Sequence, residues 1–587
     1  WVVDVATQNE RALTTGGTDT HRFGKADWVY FEELLGRNWK TYWWAPDSSR
    51  IAFYETDASD VPVFTIVDDT PDGQRVEHTR YPKPGDPNPR VRVHTVSPAG
   101  GRPTEVDLGG YDRGAYLVTA VDWADDASRL RVMVQDRAQT WLDWLEVGPR
   151  GGSPNRLFRE TTGAWVEPTG EPYDLDDGSF IYRSERDGWM HLYHFNRDGT
   201  LRNRITRGEY EVRRVHKIDE DRGWIYFDGT ADSHVANNFY RVRIEGGQPE
   251  RLTYEPGSHS VSLSPDGSMF VDSWSSHTTP TRIALRSTDG GGLIRWIDTN
   301  PVYELDEWNL GRVEMVEIPS EKGVTLEGQI IYPPDFDPTR EYPVWFKTYG
   351  GPHAPTVSDS WGGGRITDQM YANLGIVIFR GDPYPASGKG AQSAWTAYRE
   401  LGVREVEDVA EMINWIKEFE WVDPDRIGMD GWSYGGFMTA LAMTKTDLFA
   451  AGIAGAPPTD WRDYDTIYTE RYMDTPQNNP EGYEVTSAVR AAGNLSGRLM
   501  LVHGAIDDNV HMQNSTRLID ALQDANKAFD FMMYPGSRHG VRSGHRAHMY
   551  YDFITRWMEV DTGAESRGGA VDEEQRASRE AVGAGDD

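Results

Sequence analysis

Two patterns of apolar and polar positions divide the chain. From residue 1 to about 305, short alternating or aromatic-rich runs are separated by Asp/Gly/Ser/Pro turns, with no long helical period. One unit recurs: an apolar strand, a turn with an Asp and a small residue, then another apolar strand. It reads Trp43-Trp44-Ala45-Pro46-Asp47-Ser48-Ser49-Arg50-Ile51-Ala52-Phe53 and returns around Asp126, Asp177, Asp221 and Asp266. The last three intervals are 51, 44 and 45 residues, after a first of 79. Repeats of about 40–50 residues are typical of four-stranded propeller blades; an array of β-sandwiches is the rival. The excess in the first interval predicts a long polar insertion across residues 70–95. About five units are few for a closed ring, and Trp1-Val2-Val3-Asp4-Val5 reads as a strand already under way. The expectation is an incomplete N-terminal β-propeller whose beginning lies upstream of residue 1.

Beyond residue 305 the pattern changes. Strands are expected at 313–318 and 324–332. After Pro333-Pro334-Asp335, strand and helix alternate, with strands near 343–348, 375–379, 427–430, 451–454, 498–503 and 528–534. That alternation predicts a mostly parallel α/β sheet. A helix is predicted over 403–420, where Val406, Val409, Ile413, Ile416 and Phe419 recur at three- and four-residue steps, and Trp421-Val422-Asp423-Pro424 stops it. The expected domains are therefore 1–305 (propeller), 306–560 (α/β) and 561–587, a Gly/Ala/Glu/Asp/Arg-rich acidic tail predicted to be disordered.

Composition narrows the partners. The 587 residues carry 60 basic and 93 acidic side chains, a net charge of −33, which repels phosphate backbones and anionic lipid. Nucleic acid is not an expected partner. No apolar run approaches the roughly 18 residues of a membrane span. With no cysteine in the chain, disulfides, thiolate metal sites and a cysteine nucleophile are excluded.

Candidate chemistry sits in the second half. The strand Ile427-Gly428-Met429 runs into Gly431-Trp432-Ser433-Tyr434-Gly435 and then into a helix-like apolar stretch, the setting of a nucleophile elbow. Glycines two residues either side of Ser433 let backbone approach without a Cβ clash, and the Tyr434 N–H lies where an oxyanion would form. In an α/β-hydrolase an acid and then a histidine follow the serine, each after a strand. Asp507 and Asp508 are the acid candidates after Leu499–His503, and His539 is the base candidate after Phe529–Tyr534. His503, His545 and His548 read as packing or surface histidines, and no ligand spacing supports a metal. Tyr349, in Tyr349-Gly350-Gly351-Pro352 after the strand Val344–Thr348, is a candidate second oxyanion donor through its hydroxyl.

These motifs, GWSYGG, HGAIDDNVH, the histidine of RHG and TYGGP, together resemble the prolyl oligopeptidase family of serine peptidases. WRDYDTIYTERY (461–472) and Asp27-Trp28-Val29-Tyr30-Phe31-Glu32-Glu33 narrow the likeness to its dipeptidyl peptidase IV branch, and it spans residues 27–559. The resemblance implies Ser433, Asp507 and His539 as the triad, selecting Asp507 over Asp508, with Tyr349 and Tyr434 as oxyanion donors. It implies Tyr434, Trp461, Tyr464, Tyr468 and Val510 as a pocket for a proline ring. Asn509 would hold the carbonyl of the penultimate residue, and Glu32 and Glu33, on a short helix, the free α-amine. Trp461, Tyr464 and Tyr468 fall at i, i+3 and i+7, which predicts one helical face. The implied activity is release of N-terminal dipeptides with Pro or Ala second. Tripeptide release is the near alternative, an oligopeptidase or acylaminoacyl peptidase a further one. No cofactor is implied; homodimers and export to the periplasm or medium are common in the family. Three positions depart from it: its propeller arginine would lie upstream of residue 1, Phe31 stands where another acid is common, and Gly381–Gly388 replaces an arginine-containing turn.

Overall fold

In the computed structural model, residues 1–111, 114–361 and 365–560 are described; the predicted acidic tail lies outside them. Five antiparallel sheets follow one another along residues 21–298. The last four each have four strands paired in chain order, spanning 116–161, 173–204, 212–251 and 258–298. The first has five strands between His21 and Glu105. Before it, Val2–Val3 pairs antiparallel with Glu10–Arg11.

One turn explains the repeat. Between the first two strands of the later sheets, a 4-residue turn closes on a residue with positive φ: Ala127, Gly178, Gly223 and Gly267. Ser48 occupies the same place in the first sheet. The aspartate before that residue accepts the N–H two positions on, as in Ser49 to Asp47 (2.9 Å), Ser128 to Asp126 (2.9 Å), Ser179 to Asp177 (2.8 Å) and Ser268 to Asp266 (3.1 Å). Such Asx bonds hold the turn open to the left-handed residue. The fourth sheet corrects the expected register. There Arg222 stands before Gly223, and Asp219, not Asp221, accepts the Arg222 N–H at 3.1 Å.

The predicted insertion is also relocated. It is a β-hairpin, Val63–Asp68 with Arg75–Arg80, while Arg90–Val96 is a full strand of the first sheet, paired with Ile51–Asp57. The first hairpin strand alternates exposed and covered positions, with Ile66 buried, and the second is exposed or half-buried; the expected bounds of 70–95 began after the first strand. Helix α1, Trp28–Glu33, precedes the hairpin. Asp27 caps it by accepting the Tyr30 N–H, and Trp28, Val29 and Tyr30 are buried.

The second half is built on an eight-stranded sheet. Its strands are β1 (Val313–Pro319), β2 (Thr325–Ile331), β3 (Tyr342–Lys347), β4 (Val377–Asp382), β5 (Val422–Trp432), β6 (Ala451–Gly455), β7 (Arg498–Gly504) and β8 (Phe529–Tyr534). The order is β1-β2-β4-β3-β5-β6-β7-β8. β1, β2 and β4 pair antiparallel; all pairs from β4 through β3 to β8 are parallel. One apolar core fills each face, the larger lying under α2 (Val403–Ile416) and α3 (Tyr434–Lys445). α2 ends at Ile416, earlier than predicted, because Phe419 has left the helix and stacks on Trp421 at 5.3 Å. α4 (Thr466–Met473) follows β6, and α5 (Gly544–Trp557) closes the described fold.

Candidate active site

Ser433 stands between β5 and α3 with φ 60° and ψ −118°, a conformation side-chain-bearing residues rarely adopt. Its N–H donates to Gly455 O (2.8 Å), and its carbonyl accepts the Phe437 N–H (2.9 Å). The flanking glycines are a steric requirement. A Cβ on Gly431 would lie 2.3 Å from Gly435 O, and one on Gly435 2.7 Å from Thr348 O. The serine is therefore held at the positive end of α3, beside the Tyr434 amide, which has no acceptor within its own helix.

Three loops at the carboxyl ends of parallel strands meet here, the usual place for ligands in such sheets. His539 Nε2 is 3.0 Å from Ser433 Oγ, and His539 Nδ1 is 2.8 Å from Asp507 Oδ2. Asp508 faces away and pairs with Arg538 at 3.0 Å. Burial alone would raise the Asp507 pKa, but hydrogen bonds from His503 and His539 outweigh it and bring it down to about 2. His503, read from sequence as packing or surface, is fully buried: its Nε2 lies 2.8 Å from Val510 O and 3.3 Å from Asp507 Oδ2, its Nδ1 2.7 Å from Ser515 Oγ. His545 and His548 lie on α5, near Tyr534 and Asp552.

The Tyr349 phenol lies beside Ser433; burial raises its pKa and the serine hydroxyl draws it back. Its ring is 5.8 Å from that of Tyr434. The Tyr434 hydroxyl donates to Glu405 Oε1 (2.8 Å), and the Gly402 N–H holds Glu405 Oε2 at 2.9 Å. Burial lifts Glu405 to about 7.

An aromatic box continues from Tyr434. Trp461 lies 5.6 Å from Tyr434 and stacks on Tyr468 at 5.9 Å, and Tyr464 meets Tyr468 edge-on at 5.3 Å. These residues do not share one helix, as predicted. Trp461 starts a single 3₁₀ turn, Tyr464 is extended, and only Tyr468 lies on α4, whose N-cap is Asp465. Asp460 and Asp465 each cap a new element and so break the period. Val510 is fully buried, next to Asn509.

Glu32 and Glu33, at the end of α1, reach this box from the other half of the chain. Glu32 Oε1 accepts from Asn509 Nδ2 (2.7 Å), and the Asn509 N–H donates to Asp507 Oδ1 (3.0 Å). A continuous series of hydrogen bonds thus links Glu32, Asn509, Asp507, His539 and Ser433. Tyr464 also donates to Asn509 Oδ1 (2.7 Å) and Tyr81 to its carbonyl (3.0 Å). Arg37 shares Glu32 Oε1, with Nε 3.0 Å and Nη2 2.5 Å from it, and its Nε also lies 3.1 Å from Oε2. Glu33 lies against Asp465. Burial, then Asp465 and Glu32, push Glu33 well up, against the pull of Arg471. Phe31, at the departing position, stacks on Trp39 at 4.0 Å.

Several supporting residues gave no sequence signal, because their partners are hundreds of positions away. Arg137 binds Glu470 (2.5 and 2.6 Å), and Gln139 bridges the Ile467 carbonyl and Arg471 Nε, both at 2.7 Å. Ile467 joins the core around α1. The inserted hairpin reaches the triad loops: Phe64 stacks on His511 at 3.5 Å, and Glu77 binds Arg538 at 2.7 Å. At the end of β4, Asp382 accepts the Thr356 and Val357 N–H groups (both 2.7 Å), bracing the loop beyond Tyr349.

A serine hydroxyl, an imidazole and a carboxylate in series define a candidate acyl-transfer site. The comparisons with known proteins bear on the same region. Residues 1–281 match the family described as dipeptidyl peptidase IV (DPP IV) N-terminal region, and residues 365–564 match the prolyl oligopeptidase family. The chain is 30% identical to dipeptidyl peptidase 4 of Arthroderma otae over 94% of its own length and 74% of that protein's. It is 34% identical to the "Probable dipeptidyl-aminopeptidase B" of Emericella nidulans over 93% of its length, spanning 64% of that relative. Among solved structures, Porphyromonas gingivalis dipeptidyl peptidase 4 superposes with a TM-score of 0.89 at 29% identity, over 95% of this chain and 79% of the other. The chain belongs to the prolyl oligopeptidase family, in its dipeptidyl peptidase IV branch.

Proposed function

We propose that this chain is a serine exopeptidase that releases N-terminal dipeptides from peptides with Pro, or less well Ala, at the second position. The observation that carries the reading is the series of hydrogen bonds from Glu32 through Asn509, Asp507 and His539 to Ser433. It sets an acidic anchor for an ammonium and a nucleophile in one site, so substrate length is measured from the free N-terminus. The names of the relatives, dipeptidyl peptidase 4 above all, support two residues as that length.

In this reading residues 1–305 form a β-propeller whose blades are the successive antiparallel sheets, residues 306–560 form an α/β-hydrolase domain, and peptides reach the cavity between them. The proline ring stacks in the box of Tyr434, Trp461, Tyr464 and Tyr468 above Val510, where flat aromatic walls suit a ring that needs no hydrogen bond. Asn509 holds the penultimate carbonyl. The incoming ammonium takes Glu32 and Glu33, displacing the Arg37 and Asp465 contacts. His539 then accepts the Ser433 proton as Oγ attacks the carbonyl carbon, while Asp507 orients and stabilises the imidazolium. The Tyr349 hydroxyl and Tyr434 N–H receive the oxyanion. His539 returns the proton to the leaving amine, and water resolves the acyl-enzyme by the same route.

Steady-state kinetics with Gly-Pro-anilide, its N-acetylated form and Ala-Ala-Pro-anilide test this. Gly-Pro-anilide is expected to be favoured over both others by at least about 100-fold, as loss of charged hydrogen bonds implies. Preference for Ala-Ala-Pro-anilide would convert the reading to tripeptide release, and equal turnover of the acetylated form would remove the amine anchor.

A further inference from the structure

Away from Ser433, a cavity of about 260 Å³ lies between two N-terminal sheets and the loop after β3. Three potential ligands from three separate segments converge on it. Glu185 follows the strand Phe180–Ser184, Glu211 precedes the strand Val212–Asp219, and His353 lies four residues beyond Tyr349. One donor atom from each falls within 4.8 Å of the others.

Two of these groups lack what burial demands. The Glu185 side chain is only 8% exposed, and among the described residues its one ion-pair contact is His353 Nε2 at 3.9 Å, too long for a hydrogen bond. His353 Nε2 is itself buried with no hydrogen-bond partner among the described residues. Glu211 is better served, with Arg213 Nε 3.8 Å from Oε2. Burial pushes Glu185 well up, and Glu167, Glu211 and Glu160 add to it against the charge of Arg183. That arginine is turned to backbone, donating to the Thr169 carbonyl (2.9 Å) and to that of Arg213. The Gly390 N–H also donates to Glu211, but a buried Glu185 carboxylate that faces another carboxylate and an unpaired imidazole nitrogen is disfavoured unless something positive lies between them.

We propose that Glu185, Glu211 and His353 form a binding site for one divalent transition-metal ion of the zinc or manganese class. An imidazole with two carboxylates is a donor set such ions accept. Bonds of about 2.0–2.2 Å place ligand atoms roughly 3–4.4 Å apart, so a contraction of a few tenths of an ångström would complete the site. Arg213 competes for Glu211, which weakens the site. The bound ion ties the loop carrying Tyr349 to two N-terminal sheets. The binding claim stands apart from the peptidase reading, because its readout is metal content.

The test uses the full chain after chelator treatment and dialysis, titrated with Zn²⁺ and separately with Mn²⁺. Uptake is followed by calorimetry and elemental analysis, and Tm is recorded with and without each ion. At least one of the two ions is expected to bind once per chain and raise Tm. Glu185→Gln and His353→Gln are each expected to weaken binding by about 10–100-fold or more. Without metal, Glu185→Gln is expected to melt no lower than the unmodified chain, because it removes a buried unpaired charge; this separates loss of the site from loss of the fold. Glu211→Gln serves as a third variant should His353→Gln misfold. An unmodified chain that takes up neither ion, or folded variants that bind as tightly as it does, would overturn the site.

Discussion

Ser433, His539 and Asp507 hold one another at 3.0 and 2.8 Å, whereas Glu32 and Glu33 meet groups of both signs from elsewhere in the chain. Arg37 and Asn509 occupy Glu32, and Asp465 crowds Glu33. The reaction centre lies on loops at the ends of parallel strands inside a dense core. The anchor lies on a six-residue helix packed in a core of the first half, which Ile467 of the second half joins. Catalytic groups gain from being fixed before the reaction, since reorganisation during it costs rate. A charge-binding group cannot stay buried and unpaired, so it borrows a partner until the ligand arrives. In the proposed function, substrate recognition is an exchange of partners, and the chemistry needs none.

Experiments that break the fixed half are expected to have the largest effects. Asp507→Asn is expected to lower kcat by about 10⁴-fold, while Asp508→Asn, which faces Arg538, changes it less than about threefold. Equal losses in the two would remove the distinction the geometry draws. Tyr349→Phe is expected to cost about 10²–10³ in kcat with little change in KM, and an unchanged kcat would take its hydroxyl out of the oxyanion site.

The exchanging half is expected to respond in kcat/KM and in pH dependence. Glu33→Gln is expected to lose about 10–100-fold in kcat/KM for unblocked substrates, the worth of a hydrogen bond between charged groups, and nothing for a short blocked ester. Burial holds both Glu33 and Asp465 above the ordinary carboxylate range. A raised folded pKa favours the protonated pair, so its contribution to stability is complete at low pH and is lost as pH rises through its titration. Ammonium binding needs the ionised pair. Accordingly kcat/KM rises over that same interval and falls again above about 8, where the substrate amine loses its proton. Glu33→Gln should flatten the rising limb; an unaltered limb would exclude the pair as its source. Arg37→Ala, the mildest change, frees Glu32 from an exposed partner and is expected to lower KM up to about fivefold; a raised KM would mean that Arg37 itself binds substrate.

The same division governs what the sequence made legible. The Ser433 turn and His539 each follow an apolar strand within a few residues, so local pattern and spacing carry them; the same pattern left Asp507 and Asp508 both open, and the family resemblance chose between them. The eight strands of the sheet were readable for the same reason, because each is a short apolar run bounded by turn residues. Local pattern failed where polarity or distance intervened. The polar insertion expected across 70–95 began after the first hairpin strand, Val63–Asp68, and ran on into the sheet strand Arg90–Val96. Asp219 took the turn role expected of Asp221 through a one-residue shift. Asp460 and Asp465 broke an apparent helical period into two short elements. Nothing near Asn509 announces that its amide reaches a carboxylate 477 positions earlier, nor that His503 shares Asp507 with His539.

The central claim is a length measured from an acidic anchor to a serine. It is tested most directly by mass spectrometry of the products from one peptide beginning Xaa-Pro, beside its N-acetylated twin. The account predicts a single intact dipeptide and its complement from the free peptide, and no cleavage of the acetylated one within the same time. A tripeptide product, internal cleavage, or equal consumption of both peptides would contradict it.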